Sequence, residues 1–164
     1  MRDFFLDELE RAESHVLLVS PYFAPGPKVL DAIEEASDRG VAIELVMAGR
    51  TDHPLMRRAA RVLSRRLVRR GVRVFEEPQA MMHAKLAAFD DRVAVVGTSN
   101  LDRQSLVHSC EVNAVFAGDA VPRWIREHFG PERSGMIELD APALERGGLL
   151  RWIADRWATF WAQL

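Results

Sequence analysis

Two rhythms of apolar residues alternate along the first half of the chain. From Asp3 to His15 they recur at helical spacing, with Phe4, Phe5, Leu9 and Ala12 on one side. "VLLVS" (16–20) is then a continuous apolar run, suited to a strand covered on both faces, and "PYFAPGP" ends it. Helical spacing returns from Lys28 to Arg39 through Val29, Ile33 and Ala36, with Gly40 placed to cap the C-terminus. "VAIELVM" predicts a second buried strand, "AGRTDHP" a loop, residues 55–70 a third helix ended by Gly71, and "VRVFEE" a further strand.

After Pro78 the strands lose their intervening long helices. "MHAKLAAF", a turn at Asp90, Asp91 and Arg92, and then "VAVVG" predict a hairpin, with "CEVNAVF" as a later neighbour. The pattern therefore predicts an α/β fold with a mixed sheet. "AVPRWIREHF" reads as a helix, and residues 130–147, rich in Pro and Gly, fit no regular element. "GLLRWIADRWATFWAQL" reads as a last helix, whose broad stripe of Leu149, Leu150, Trp152, Ile153, Trp157, Phe160, Trp161 and Leu164 suits docking on the core, on a partner or at a membrane interface. The expected organisation is one catalytic-type domain over 1–130, followed over 131–164 by a loop and this amphipathic helix.

Composition narrows the class. The 164 residues suit one domain with a sizeable core, and a formal charge of −2 carries no overall signature of a nucleic-acid binder. A local basic face is still present. Residues 57–70 carry seven arginines, of which Arg58, Arg61, Arg65 and Arg69 form a stripe while Val62 and Leu63 point inward; it fits phosphate-rich partners, or pairing with the acidic helix at 31–38. Cys110 is the only cysteine, which favours a reducing compartment, and no run approaches the roughly eighteen apolar residues of a membrane span. A cytoplasmic location is expected, with contact at the inner face of the plasma membrane no more than peripheral.

The stretch "MMHAKLAAFDDRVAVVGTSN" (81–100) carries the candidate chemistry. Alternation along a strand puts His83 and Lys85 on one face. An imidazole beside a fixed ammonium can attack an electrophile whose negative oxygens the ammonium holds, and phosphate fits that pairing best. A solvent-facing edge would show the same spacing. Two features weigh against it. The chain uses twenty arginines and only two lysines, Lys28 and Lys85, so a lysine here is an exception. Downstream, Gly97, Thr98, Ser99 and Asn100 form a small polar turn whose donors could converge on the same anion.

His83-x-Lys85, Asp90, and then Gly97-Thr98-Ser99-Asn100 resemble the signature of the phospholipase D superfamily, the HKD motif with its trailing Gly-(Gly/Ser)-x-Asn. Thr98, where the family more often has Gly or Ser, is a mild departure that keeps a hydroxyl. "SPYFAPG", "GRTDHPL", "NLDRQSL" and "EVNAVF", in that order, resemble the C-terminal catalytic half of bacterial cardiolipin synthases; the likeness covers roughly residues 4 to 130. It implies a phospholipase D-like mixed sheet with helices on both faces. It also implies that His83 forms a phosphohistidine while Lys85, Ser99 and Asn100 hold the phosphate oxygens. Water or an alcohol would then resolve the intermediate, with no metal or other cofactor. Glu111 is the candidate to orient His83 through its second ring nitrogen. Asp90, although part of the motif's catalytic set, falls on the other side of the strand and reads as a hairpin or supporting residue.

The family's chemistry uses two such motifs, and this sequence contains one. The second would come from a homodimer mate or from a missing N-terminal half. The expected substrate is a phosphatidylglycerol-like phospholipid, with nucleic acid ranked behind it. The alternatives are a homodimeric single-motif nuclease that needs no metal, and a non-catalytic half that binds lipid or scaffolds.

Overall fold

The computed structural model describes residues 1–131, 135–141 and 144. Its main sheet has seven strands: β1 (His15–Ser20), β3 (Ala42–Ala48), β4 (Arg73–Glu77), β5 (Leu86–Phe89), β6 (Val93–Gly97), β8 (Asn113–Ala117) and β9 (Ile137–Glu138). Their spatial order is β8-β6-β5-β1-β3-β4-β9. A two-residue parallel pair, β2 (Phe23–Ala24) with β7 (Leu101–Asp102), stands apart from it. The helices are α1 (Arg2–Arg11), α2 (Pro27–Asp38), α3 (Pro54–Val68) and α4 (Ala120–Phe129), with a π-helical turn at Gln104–His108.

β1, β3 and β4 are parallel, joined by crossovers through α2 and α3. Proline in the first turn suits each of these helices, because an N–H is unmet there in any case. Gly40 (φ 93°) and Gly71 (φ 87°) end them in the left-handed conformation that closes a helix C-terminus. β5, β6 and β8 then follow, each antiparallel to its neighbour, with β5 antiparallel to β1, so the sheet is mixed as expected.

Alternation sorts the core into two layers. Val16 and Leu18 of β1, Ile43 and Leu45 of β3 and Phe89 of β5 pack against Phe5 and Leu9 of α1, Ile33 of α2 and Leu67 of α3. The neighbouring positions Leu17, Val19, Val46, Phe75, Leu86 and Ala94 face the other way, toward Ile125 of α4. Helices therefore cover both faces.

Four boundaries differ from expectation. The first helix ends at Arg11 rather than near His15, because the backbone N–H groups of Glu13, Ser14 and His15 are drawn to the Asp90 carboxylate, at 3.1, 2.9 and 2.9 Å. β5 begins at Leu86 rather than Met82. Its partner β1 stops at Ser20, followed by Pro21, and pairing ends with Val19 opposite Leu86. β8 begins at Asn113, so Glu111 precedes the strand instead of lying within it. β9, pairing antiparallel with β4, carries the sheet into the segment past residue 130, where the sequence pattern shows no regular element. The amphipathic helix expected over 148–164 lies outside the described residues.

The basic run of α3 is partly neutralised, through Arg61 of the expected stripe and through arginines beside it. Arg57 and Arg61 both bond the buried Glu76 of β4, while Arg66 bonds Asp31 and Glu34 of α2 and Arg70 bonds Asp38. Burial alone would raise the Glu76 carboxyl, but Arg61 and Arg57 outweigh it and hold it below the usual range.

Candidate active site

Strand direction gathers the sequence-predicted residues. The C-terminal ends of β1, β3, β4 and β6 and the N-terminal ends of β5 and β8 all lie along one edge of the sheet. Lys85 immediately precedes β5, and its carbonyl accepts the Gly97 N–H at 3.1 Å. Gly97 is paired in turn with Asn113. Three segments far apart in sequence therefore stand side by side.

His83 lies outside any regular element, three residues before β5, and is exposed to solvent. The Lys85 ammonium sits 3.1 Å from Nδ1 and 3.2 Å from Nε2 of the His83 ring, and donates to the His83 carbonyl at 2.9 Å. Burial lowers the Lys85 pKa below its ordinary value, opposed by the charges of Glu111 and then Asp102. The ammonium is thus partly stripped of water and held against the imidazole. Lys85 lines a small cavity with Ser99 and Asn113.

The polar turn is built by the strand next to it. Thr98 donates its N–H to the Val112 carbonyl at 3.0 Å, and its hydroxyl accepts the Val112 N–H at 3.0 Å while donating to the Glu111 carboxylate. A Cβ on Gly97 would fall 2.7 Å from Asn113 Cα and closer still to Asn113 Oδ1 and the Val112 carbonyl. That approach admits only glycine. Asn100 Oδ1 is enclosed and has no hydrogen-bond partner among the described residues.

Two placements depart from the sequence reading. Ser99, expected to touch phosphate, is buried, and its hydroxyl accepts the Asn113 Nδ2–H at 2.8 Å, so it secures the turn from inside. Glu111 reaches Thr98 rather than His83, and the group that touches the imidazole is Lys85. Asp90 stands at the far end of β5 from His83. It has φ 50° and accepts from Glu13, Ser14 and His15.

Other polar residues at this edge went unassigned in the sequence. Asp102 is buried, accepts the Ser105 N–H at 2.7 Å, and acts electrostatically on both Lys85 and Tyr22. Tyr22 and Asp52 share a 2.6 Å hydrogen bond. The quoted segments "SPYFAPG", "GRTDHPL" and "NLDRQSL" contain all three, but nothing in their spacing links one segment to another.

A family model described as "Cardiolipin synthase, PLD-like domain" matches residues 5–132. Cardiolipin synthase B of Escherichia coli K12 is 36% identical over 141 residues, which is 86% of this chain and 33% of that protein. Cardiolipin synthase 2 of Staphylococcus epidermidis is 32% identical over 125 residues, 76% of this chain and 26% of that one. The chain spans about a third of the length of the curated relatives it matches. Among solved structures, the phospholipase D family member Nuc from Salmonella typhimurium superposes with a TM-score of 0.72 at 18% identity, covering 85% of this chain and 90% of that one. Phosphatidylserine synthase of Haemophilus influenzae Rd KW20 also gives 0.72, at 13% identity over 96% of this chain and 43% of its own.

Proposed function

The chain belongs to the family of cardiolipin synthase, PLD-like domains, and on that premise we propose that it exchanges the alcohol of a phospholipid phosphodiester through a phosphohistidine at His83. The observation that carries this reading is the Lys85 ammonium 3.1 Å from an exposed imidazole. The turn ending at Asn100 lies at the same sheet edge.

In the first step a ring nitrogen of His83 bonds phosphorus, the bond to the headgroup oxygen breaks, and that oxygen takes a proton from a general acid. Lys85 and Asn100 hold the non-bridging oxygens, where charge builds as the nucleophile arrives. In the second step an alcohol or water attacks phosphorus, the P–N bond breaks, and the incoming hydroxyl gives its proton back to the same acid, now a base. Glu111 is assigned to fix the ring tautomer, exchanging its Thr98 hydrogen bond for the ring N–H. Asp90 acts at a distance, by anchoring the hairpin that carries β5.

The proton donor is assigned to the histidine of a second His-x-Lys motif. A second copy of the chain would supply it, as would an N-terminal half like that of a protein three times this length. Among the described residues β8 is an edge strand, and its exposed Val115 and Phe116, 52% and 40% accessible, beside the segment that builds the site, support such an association.

The substrate class is a phosphatidylglycerol-like phospholipid. Leu55 and Met81, 62% and 54% exposed, flank the loops at this edge and support contact with a lipid surface. No helix among the described residues is long and apolar enough to cross a membrane, and the reading is peripheral contact at the inner face of the plasma membrane. Incubating the chain with phosphatidylglycerol vesicles and, separately, with DNA tests the proposal. Lipid turnover that disappears in His83→Ala is expected. DNA cleavage lost in the same variant would assign a nuclease instead, and inertness toward both at dimer-forming concentrations would overturn the catalytic reading.

A further inference from the structure

Asp102 is a buried carboxylate that the displacement at His83 does not use. It closes β7, two residues after Asn100, with Ala24 of β2 opposite it. Its Oδ1 accepts the Ser105 N–H at 2.7 Å and so caps the π-helical turn Gln104–His108. Register carries it to the side of Lys85. Val19 of β1 stands opposite Leu86 of β5, so one position further along Ser20 comes abreast of Lys85. The Ser20 hydroxyl accepts the Leu101 N–H at 3.0 Å and donates to the Tyr22 carbonyl at 2.8 Å. The residue next to Asp102 is therefore fastened to the residue abreast of Lys85.

The cap does not account for the charge. A helical turn asks its cap only for an acceptor, which asparagine or serine supplies without taking a charge out of water. Burying a carboxylate costs less where a cation faces it. The cation here is the Lys85 ammonium, on which two carboxylates act: Glu111, from the segment before β8, and then Asp102. His83 touches the same ammonium, and Tyr22, beyond Ser20, also lies in the field of Asp102. The two acids differ in freedom. Glu111 is half-buried, is held by the Thr98 hydroxyl and, in the reaction proposed above, leaves it for the imidazole. Asp102 is fixed by strand pairing and by Ser105, so its charge stays in place throughout a cycle.

We infer that Asp102 is a positioning residue, a fixed counter-charge behind the phosphate turn that keeps the Lys85 ammonium protonated while Glu111 serves His83. This rests on the proposed use of Lys85 to hold phosphate oxygens. Burial favours the neutral amine, and a fixed carboxylate nearby favours the ammonium. Removing the carboxylate's charge leaves burial less opposed, so the proton is lost at lower pH. A neutral amine attracts phosphate oxygens far less, and turnover falls with it.

The test uses the full chain and three variants, each checked for folding by thermal melting. Asp102→Asn and Asp102→Ser are neutral yet still able to accept the Ser105 N–H, and Asp102→Glu keeps the charge. The chain has two lysines, so acetylation with acetic anhydride, mapped by peptide, reads Lys85 with Lys28 as internal reference. At pH 9 the neutral variants should label Lys85, relative to Lys28, about threefold faster than the wild type. The alkaline limb of their turnover of phosphatidylglycerol vesicles should move to lower pH. Asp102→Glu should keep both readings near those of the wild type. A role confined to capping would lower stability or rate and move neither the labelling ratio nor the limb; that result in a folded neutral variant would overturn the inference and leave the reaction standing. A wild type that turns over no phosphodiester would overturn the reaction, while the labelling ratio, which needs no turnover, would still decide whether Asp102 holds the proton on Lys85.

Discussion

Asp90 and Ser14, 76 residues apart, are joined twice through one carboxylate oxygen: Asp90 Oδ1 accepts the Ser14 N–H at 2.9 Å and its hydroxyl at 2.7 Å. The His15 N–H, at 2.9 Å, completes the cradle on that oxygen. Asp90 therefore ties the β5–β6 turn to the entry of β1, the strand on which the sheet is centred.

That cradle gives stability a dependence on acid. Burial alone would raise the Asp90 carboxyl, but the His15 N–H, the Ser14 hydroxyl and the N–H groups of Ser14 and Glu13 hold it at about 2. The folded value lies below the unfolded one of about 3.9, so the contribution is fully present above about pH 4 and is lost as pH falls toward 2. Asp90→Asn should cost about 1–2 kcal/mol at neutral pH, a figure discounted for the partial exposure of the carboxylate. Its stability should also change less than the wild type's between pH 4 and 2. Denaturant unfolding at a series of pH values measures both.

Lys85 sets an alkaline limit on activity. It must be protonated to hold phosphate oxygens, and burial lowers its pKa below the ordinary lysine value. Turnover should therefore fall, as pH rises, at a point below about 10.5. Lys85→Arg, charged throughout that range, should abolish the limb and reduce the rate by about 10²-fold, because a planar guanidinium cannot take the ammonium's place against the ring. A pH–rate profile of the two proteins reads this directly.

Gly97 has no room for a methyl group, since the clash is with the backbone and amide of its partner strand rather than with a flexible side chain. Gly97→Ala should force the turn carrying Thr98 and Asn100 away from Asn113. The expected cost is about 1–3 kcal/mol, with a loss of turnover at temperatures where the protein remains folded. Thermal melting and activity measured on the same sample separate the two effects.

These residues also mark what the sequence could and could not disclose. β1, α2, β3, α3 and β4 were legible because each is set by its own periodicity and closed by a local Gly or Pro. The hairpin was legible for the same reason. The start of β5 was not. Met82, Ala84 and Leu86 flank His83 and Lys85 as a strand's residues would, but pairing stops where β1 meets Pro21, a fact about another segment. The end of α1 depends on Asp90 in the same way. His83 and Lys85 were visible as neighbours because they are two residues apart. Glu111 with Thr98, and Tyr22 with Asp52, meet only after parallel and antiparallel strands have been laid side by side. β9, with two residues, is too short to carry a rhythm.

The account is tested most directly by trapping the bond to phosphorus. The chain is mixed with phospholipid labelled at phosphorus, quenched within the first turnover under denaturing alkaline conditions that preserve phosphohistidine, and mapped by peptide. The label should be attached to His83 and should be absent from His83→Ala. Turnover of the lipid with no labelled protein, or with the label on another residue, would contradict the mechanism.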